Sequence, residues 1–186
     1  ENAVTLAISM DSTSILIKNE GWRHATAATV STYDAQGNRL NTVYIGRMPE
    51  KGKTQAKRLL EKEVDAIMSK HQFKHIVCIA DGARELWQYF QRKYPNAIHV
   101  VDFFHVCEHL SKLSQLFSQD PAEAKAWYKK YRTILKEDSN GASKLIRAAR
   151  YRRSITKKNP EIEAEIKYLQ HNRKRLNYFQ LRQNNL

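Results

Sequence analysis

The stretch His75-Ile76-Val77-Cys78-Ile79-Ala80-Asp81-Gly82 reads as a strand and the turn that ends it. A run this short, rich in β-branched residues, suits a strand buried on both faces. Downstream the pattern changes to helix over about residues 83–93, broken at Tyr94-Pro95-Asn96. A second buried strand, residues 97–101, ends at Asp102, and a helix over 103–118 follows with Leu110, Leu113 and Phe117 as its core face. Upstream, residues 53–70 read as a helix. Its apolar stripe is Leu59, Leu60, Val64, Ile67 and Met68, and Lys57, Glu61 and Lys62 face water.

The N-terminal part is β. Val4, Leu6, Ile8 and Met10 alternate with smaller or polar residues, the mark of a half-buried strand. That strand ends at Asp11-Ser12-Thr13, with Ser14 to Ile17 as an extension. Residues 22–33 and 39–46 are two further strands. The turn Asp34-Ala35-Gln36-Gly37-Asn38 joins them, with Gly37 and Asn38 suited to positive φ. The order βββαβαβα predicts an α/β fold of ribonuclease-H-like type, a mixed five-stranded sheet with helices on both sides. From residue 120 the chain reads as helical. Asp120-Pro121 starts one helix, residues 142–155 form another, and Asn159-Pro160 starts a third, long one with Ile162, Ile166 and Leu169 on one face. The expected organisation is a core over 1–119, a helical insertion over 120–158 and a long helix over 159–186.

Charge is uneven along the 186 residues. Of the net +13, residues 120–186 carry 17 Lys+Arg against 7 Asp+Glu (+10), and residues 1–119 carry 15 against 12 (+3). A basic half beside a nearly balanced one suggests a surface for a polyanion, with nucleic acid the expected partner. The alternative is a solvated helical face. Arg150, Arg152, Arg153, Arg173, Lys174 and Arg175 are the candidate phosphate contacts, and Tyr151, Tyr168 and Tyr178 lie among them as stackers or as packing residues. No apolar run is long enough for a membrane span, and the N-terminus lacks a signal-peptide pattern. The chain begins without Met, as a piece of a longer protein would. Its two cysteines, Cys78 and Cys107, suit a reducing cytoplasm better than a disulfide framework.

Asp11 and Asp81 close the first and fourth strands, neighbours in a sheet of this kind, so their carboxylates are expected to converge. Paired hard oxygen donors suit Mg²⁺ or Mn²⁺, and two such ions can activate water and stabilise a leaving oxygen in phosphodiester cleavage. The plainer reading of each Asp is a turn or a helix cap. Asp102 also ends a strand, with His105 three residues on. It is either a cap for the helix at Phe103 or, with His105, a support for the metal site. His105, Cys107 and His109 offer two ligands on one helix face rather than a zinc set. Cys78 reads as inert core, and Trp22 and Trp87 as core or lid residues. A rival pair, Asp102 and Glu137, has a spacing familiar from retroviral-type integrases. However, Asp102 follows the fifth strand, and Glu137 reads as a helix end.

Several short strings resemble bacterial insertion-sequence transposases: Met10-Asp11-Ser12-Thr13, Gly21-Trp22-Arg23 and Tyr44-Ile45-Gly46-Arg47-Met48-Pro49. Ala80-Asp81-Gly82-Ala83 and Val101-Asp102-Phe103-Phe104-His105 with Glu108-His109-Leu110 extend the likeness in order along nearly the whole chain. Together they resemble the Mutator-like branch of DDE transposases, in particular the insertion-sequence family named from a Kra element. The resemblance implies that Asp11 and Asp81 are the first two catalytic carboxylates. It matches Asp102 and His105 to the family's Asp/Cys-x-x-His motif. Ser12 stands where the family usually has Gly. The resemblance places the third carboxylate, a Glu, beyond Leu186, so the chain ending there is expected to bind metal weakly and to cleave little. Glu108, Glu161, Glu163 and Glu165 are poor substitutes for that Glu. It further implies a bacterial, nucleoid-associated protein acting on transposon ends and target DNA, and allows a homodimer. A DNA-binding relic without activity, and a ribonuclease-H-like nuclease or resolvase, are the alternative functions.

Overall fold

The computed structural model describes residues 2–186. The chain is α/β, with five strands: β1 (Thr5–Ile17), β2 (Gly21–Tyr33), β3 (Arg39–Glu50), β4 (His75–Ala80) and β5 (Ile98–Val101). They form one mixed sheet in the order β3-β2-β1-β4-β5. β1 and β2 pair antiparallel, β2 and β3 likewise, and β1 pairs parallel with β4. This is the ribonuclease-H-like arrangement expected from the element order. The helices are α1 (Thr54–Met68), α2 (Arg84–Lys93), α3 (Phe103–Phe117), α4 (Pro121–Glu137), α5 (Gly141–Ile155), α6 (Pro160–Asn172) and α7 (Tyr178–Gln183). Among the described residues, no helix is long and apolar enough to cross a membrane.

The chain falls into two compact units. The first runs to His99 and includes Asn185, and the second is Val100–Asn184 with Leu186.

In the first unit, the alternation of β1 sets one sheet face. Leu6, Ile8 and Met10 are almost fully buried, and their β2 partners include Val30 opposite Ile8 and Ala28 opposite Met10. Helix α1 packs on β2 and β3 and buries Ala56, Leu60 and Val64. Leu59 and Met68, expected in its core stripe, are instead 39% and 42% exposed. They lie about 80–100° round the helix from the line through Ala56, Leu60 and Val64, so they flank the buried face. In α2, Leu86, Trp87, Tyr89 and Phe90 are buried, and Trp87 packs against His99 with ring centroids 6.0 Å apart. Trp87 is thus a core residue, whereas Trp22 is 67% exposed. Cys78 is fully buried, and burial pushes its thiol up to about 12. At the β2–β3 turn only Gly37 takes positive φ (82°). The Asn38 backbone instead donates to the Asp34 carboxylate (2.8 Å), which holds the turn without a left-handed residue there.

The second unit is helical apart from the end of β5. Asp120 and Asn159 cap α4 and α6, accepting from Ala122 N (2.9 Å) and Glu161 N (2.8 Å), with Pro at the first helical position each time. Leu110, Leu113, Leu135, Leu145, Ile162 and Leu169 form its fully buried centre. The long C-terminal helix expected from Asn159 onwards is broken. α6 stops at Asn172, a single 3₁₀ turn covers Arg173–Arg175, and α7 begins at Tyr178. Asn172 is buried, donates to Tyr168 O (3.2 Å) and accepts from Arg175 (3.2 Å). These local bonds compete with helix continuation, as Asn side chains commonly do. Leu176 and Tyr178 then turn inward, and the Tyr178 hydroxyl donates to Val101 O at 2.8 Å.

Candidate metal centre

The pairing of β1 with β4 runs from Thr5 opposite His75 to Ser9 opposite Ile79, a constant offset. Two residues further on, the same offset sets Asp11 opposite Asp81. The structure brings the two together: a carboxylate oxygen of each lies within 4.8 Å of the other. As the expected extension over Ser14 to Ile17 implies, β1 does not end at Asp11: its pairing with β2 continues to Ile17 opposite Gly21. What ends is the partnership with β4, so Asp11 sits where a three-stranded ribbon runs out beyond the five-stranded sheet. Met10 faces the core and Asp11, the next residue on a pleated strand, faces the other way and is exposed.

Each carboxylate is oriented by a local hydrogen bond. Asp11 Oδ1 accepts from Ser12 N at 2.7 Å. Asp81 Oδ1 accepts from Ala83 N at 2.8 Å, across a turn in which Gly82 has φ 102°. Only glycine adopts that conformation readily. Ala83 precedes the first turn of α2, whose positive end favours a nearby carboxylate. Asp11 makes no ion pair with a described Lys or Arg. Two carboxylates this close present the hard oxygen donors that suit a divalent ion such as Mg²⁺ or Mn²⁺. A groove of about 450 Å³ runs from Asp11 across Ala27 to Gly46, Arg47 and Met48. The cross-strand register of these residues, not any local motif, makes it.

Asp102 and His105 belong to the second unit. Asp102 is the cap of α3: its Oδ1 accepts from Phe104 N (2.7 Å) and His105 N (3.2 Å), and His105 Nδ1 lies 3.7 Å from the same atom. Glu137, of the rival integrase-type pair, is the last residue of α4 and lies 4.0 Å from Arg182. His109 is a packing residue. Its Nδ1 bonds the buried Glu165, and its ring stacks on Tyr168 with centroids 3.6 Å apart. Cys107 is buried on another side of α3, so among the described residues the two histidines and this cysteine form no ligand set. Of the other acids, Glu161 and Glu165 pair with Lys112 at 3.1 Å and Glu163 with Arg153 at 2.8 Å, whereas Glu108 is exposed on α3.

The six basic candidates divide. Arg152 is paired with Glu123 and Arg153 with Glu163. Arg175 is half-buried, and burial lowers its pKa. Arg173 and Lys174 are exposed beside the start of α5, and Arg150 is exposed beside Gln170. Of Tyr151, Tyr168 and Tyr178, only Tyr151 is well exposed (66%). Neither the family models nor the curated proteins contain a match to this chain.

Proposed function

We propose that this chain is part of the catalytic domain of a DDE-type DNA transposase. On this reading Asp11 and Asp81 hold divalent ions for phosphodiester cleavage and strand transfer. One observation carries it: two carboxylates from neighbouring parallel strands converge at the end of their pairing. The ordered motif resemblance around Asp11, Asp81 and Asp102 supports it. When bound, Mg²⁺ or Mn²⁺ would activate a water or hydroxyl nucleophile and offset charge on the leaving oxygen. The chain's own contribution is to fix the donors. The Ser12 and Ala83 amides orient the carboxylates, and the groove beside Asp11 leaves room for a polymer. The resemblance gives Asp102 and His105 a supporting role, and within its own unit Asp102 sets the start of α3. The partner is double-stranded DNA, and the setting the bacterial cytoplasm at the nucleoid.

The test is Mn²⁺ binding followed by electron paramagnetic resonance, with Mg²⁺ competition, on the protein and on Asp11→Asn and Asp81→Asn. Each substitution is expected to weaken binding at least tenfold, roughly the cost of losing a ligand or its support. The little metal-dependent nicking of supercoiled plasmid expected of this chain should be lost in the same variants. Mn²⁺ affinity unchanged in both, or nicking that survives both, overturns the reading.

A further inference from the structure

Helix α4 carries Lys125, Lys129, Arg132 and Lys136 at spacings of four, three and four residues. At 100° per residue these positions fall within about 60° of one another, a single row about 16 Å long. Its neighbours do not neutralise it. The acids of α4 and its ends are otherwise engaged: Glu123 with Arg152 and Ser118, Glu137 with Arg182, and Asp138 with Lys144. None of the four cations is in an ion pair with a described acid. Three are exposed, and Lys136 is partly so.

The C-terminal end of the row is held in place. Arg132 and Lys136 lie over the Phe103 ring at 5.6 and 5.9 Å from its centroid. Phe103 packs edge-on against Tyr178 at 4.9 Å, and Tyr178 is itself tied to Val101. At the other end, Lys125 borders a groove of about 650 Å³ between α3 and α4, lined by Ser111, Ser114, Gln115 and Ser118. Hydroxyls and amides beside a line of cations are the chemistry of phosphate-backbone contact. α4 exposes no large apolar side chain, whereas single-strand binders rely on aromatic platforms.

We propose that this row on α4 is a docking track for the phosphate backbone of duplex DNA. The track lies apart from the basic residues singled out in the sequence, two of which are consumed by ion pairs. It rests on the transposase reading only in taking DNA as the polyanion. The paired arginines Arg152 and Arg153 contribute less, because their charge is already met within the fold.

The experiment measures binding of a fluorescent 20-base-pair duplex by anisotropy across about 50–200 mM salt, the range over which such contacts are read. One variant carries Lys125→Gln, Lys129→Gln, Arg132→Gln and Lys136→Gln. A control of equal charge change carries Arg147→Gln, Lys157→Gln, Lys158→Gln and Lys167→Gln. Circular dichroism establishes that both fold. Four lost phosphate contacts should lower the log–log salt slope by about 3 to 4 units, so the wild type should lose about 100-fold more affinity than the row variant over that range. The control should keep most of the wild-type slope. Equal losses in the two variants, no loss in the row variant, or tighter binding of a single strand of the same length overturns the proposal. Mn²⁺ binding at Asp11 and Asp81 is unaffected by these changes, so failure here and failure of the transposase reading are told apart.

Discussion

Asp102 is the residue at which a structural and a functional role can be separated by two substitutions. Its carboxylate accepts from two backbone amides at the start of α3, at 2.7 and 3.2 Å. Replacing it with Ala removes the cap, which costs about 0.5–2 kcal/mol, and removes a negative charge from the positive helix end, about 0.3–1 kcal/mol more. The Asp102 side chain is 38% exposed, so screening keeps the second contribution near its lower limit. A loss of about 1–2 kcal/mol is therefore expected. For a chain of this size that is a fall in Tm of roughly 3–6 °C, measured by circular dichroism at 222 nm and by urea titration. Asp102→Asn keeps an oxygen acceptor in the same place and should recover most of the loss. Mn²⁺ binding is then read on Asp102→Asn, where stability is nearly restored. A capping role alone leaves it close to wild type. An Asp102→Ala protein as stable as the wild type would refute the capping argument. A stable Asp102→Asn protein that has lost Mn²⁺ binding would show that the charge, not the cap, matters.

Gly141 opens α5 in a turn so close to α4 that a Cβ there would run into the backbone of Ile134 and Leu135. Gly141→Ala should therefore destabilise by about 1–3 kcal/mol, the range for overpacking, despite the better helix propensity of Ala, and urea denaturation checks it. Glu85 bridges Lys53 and Lys57 at 3.1 and 2.7 Å, and the hydrogen bond from Lys57 lowers its pKa. A depressed carboxyl stabilises the fold above its ordinary pKa of about 4.3 and loses that effect as pH falls through the folded value. The stability difference between wild type and Glu85→Gln should thus be present at neutral pH and vanish in acid. A difference that is the same from neutral to acid pH refutes the assignment. Glu85 is largely exposed, so the neutral-pH difference will be small.

The sequence by itself determined the elements and their order. Alternation at Leu6, Ile8 and Met10, the apolar run at Ile76–Ala80, and Asp-Pro or Asn-Pro at helix starts are local signals, and they act through local physics: pleat, burial and capping. They also made the two strand-associated carboxylates visible as candidates. Register was not legible. That Asp11 faces Asp81 depends on a pairing across 70 positions. The break after Asn172 was hidden as well, because a buried Asn side chain and an inward-turning Leu176 outweigh a sequence that otherwise reads as helix. The basic residues divide for the same reason. Arg152 and Lys129 are both cations on a helix, but only Arg152 finds a carboxylate, Glu123, supplied from a neighbouring helix. Charge pairing across the fold is a tertiary property, and it decides which part of a net +13 is left to meet a polyanion.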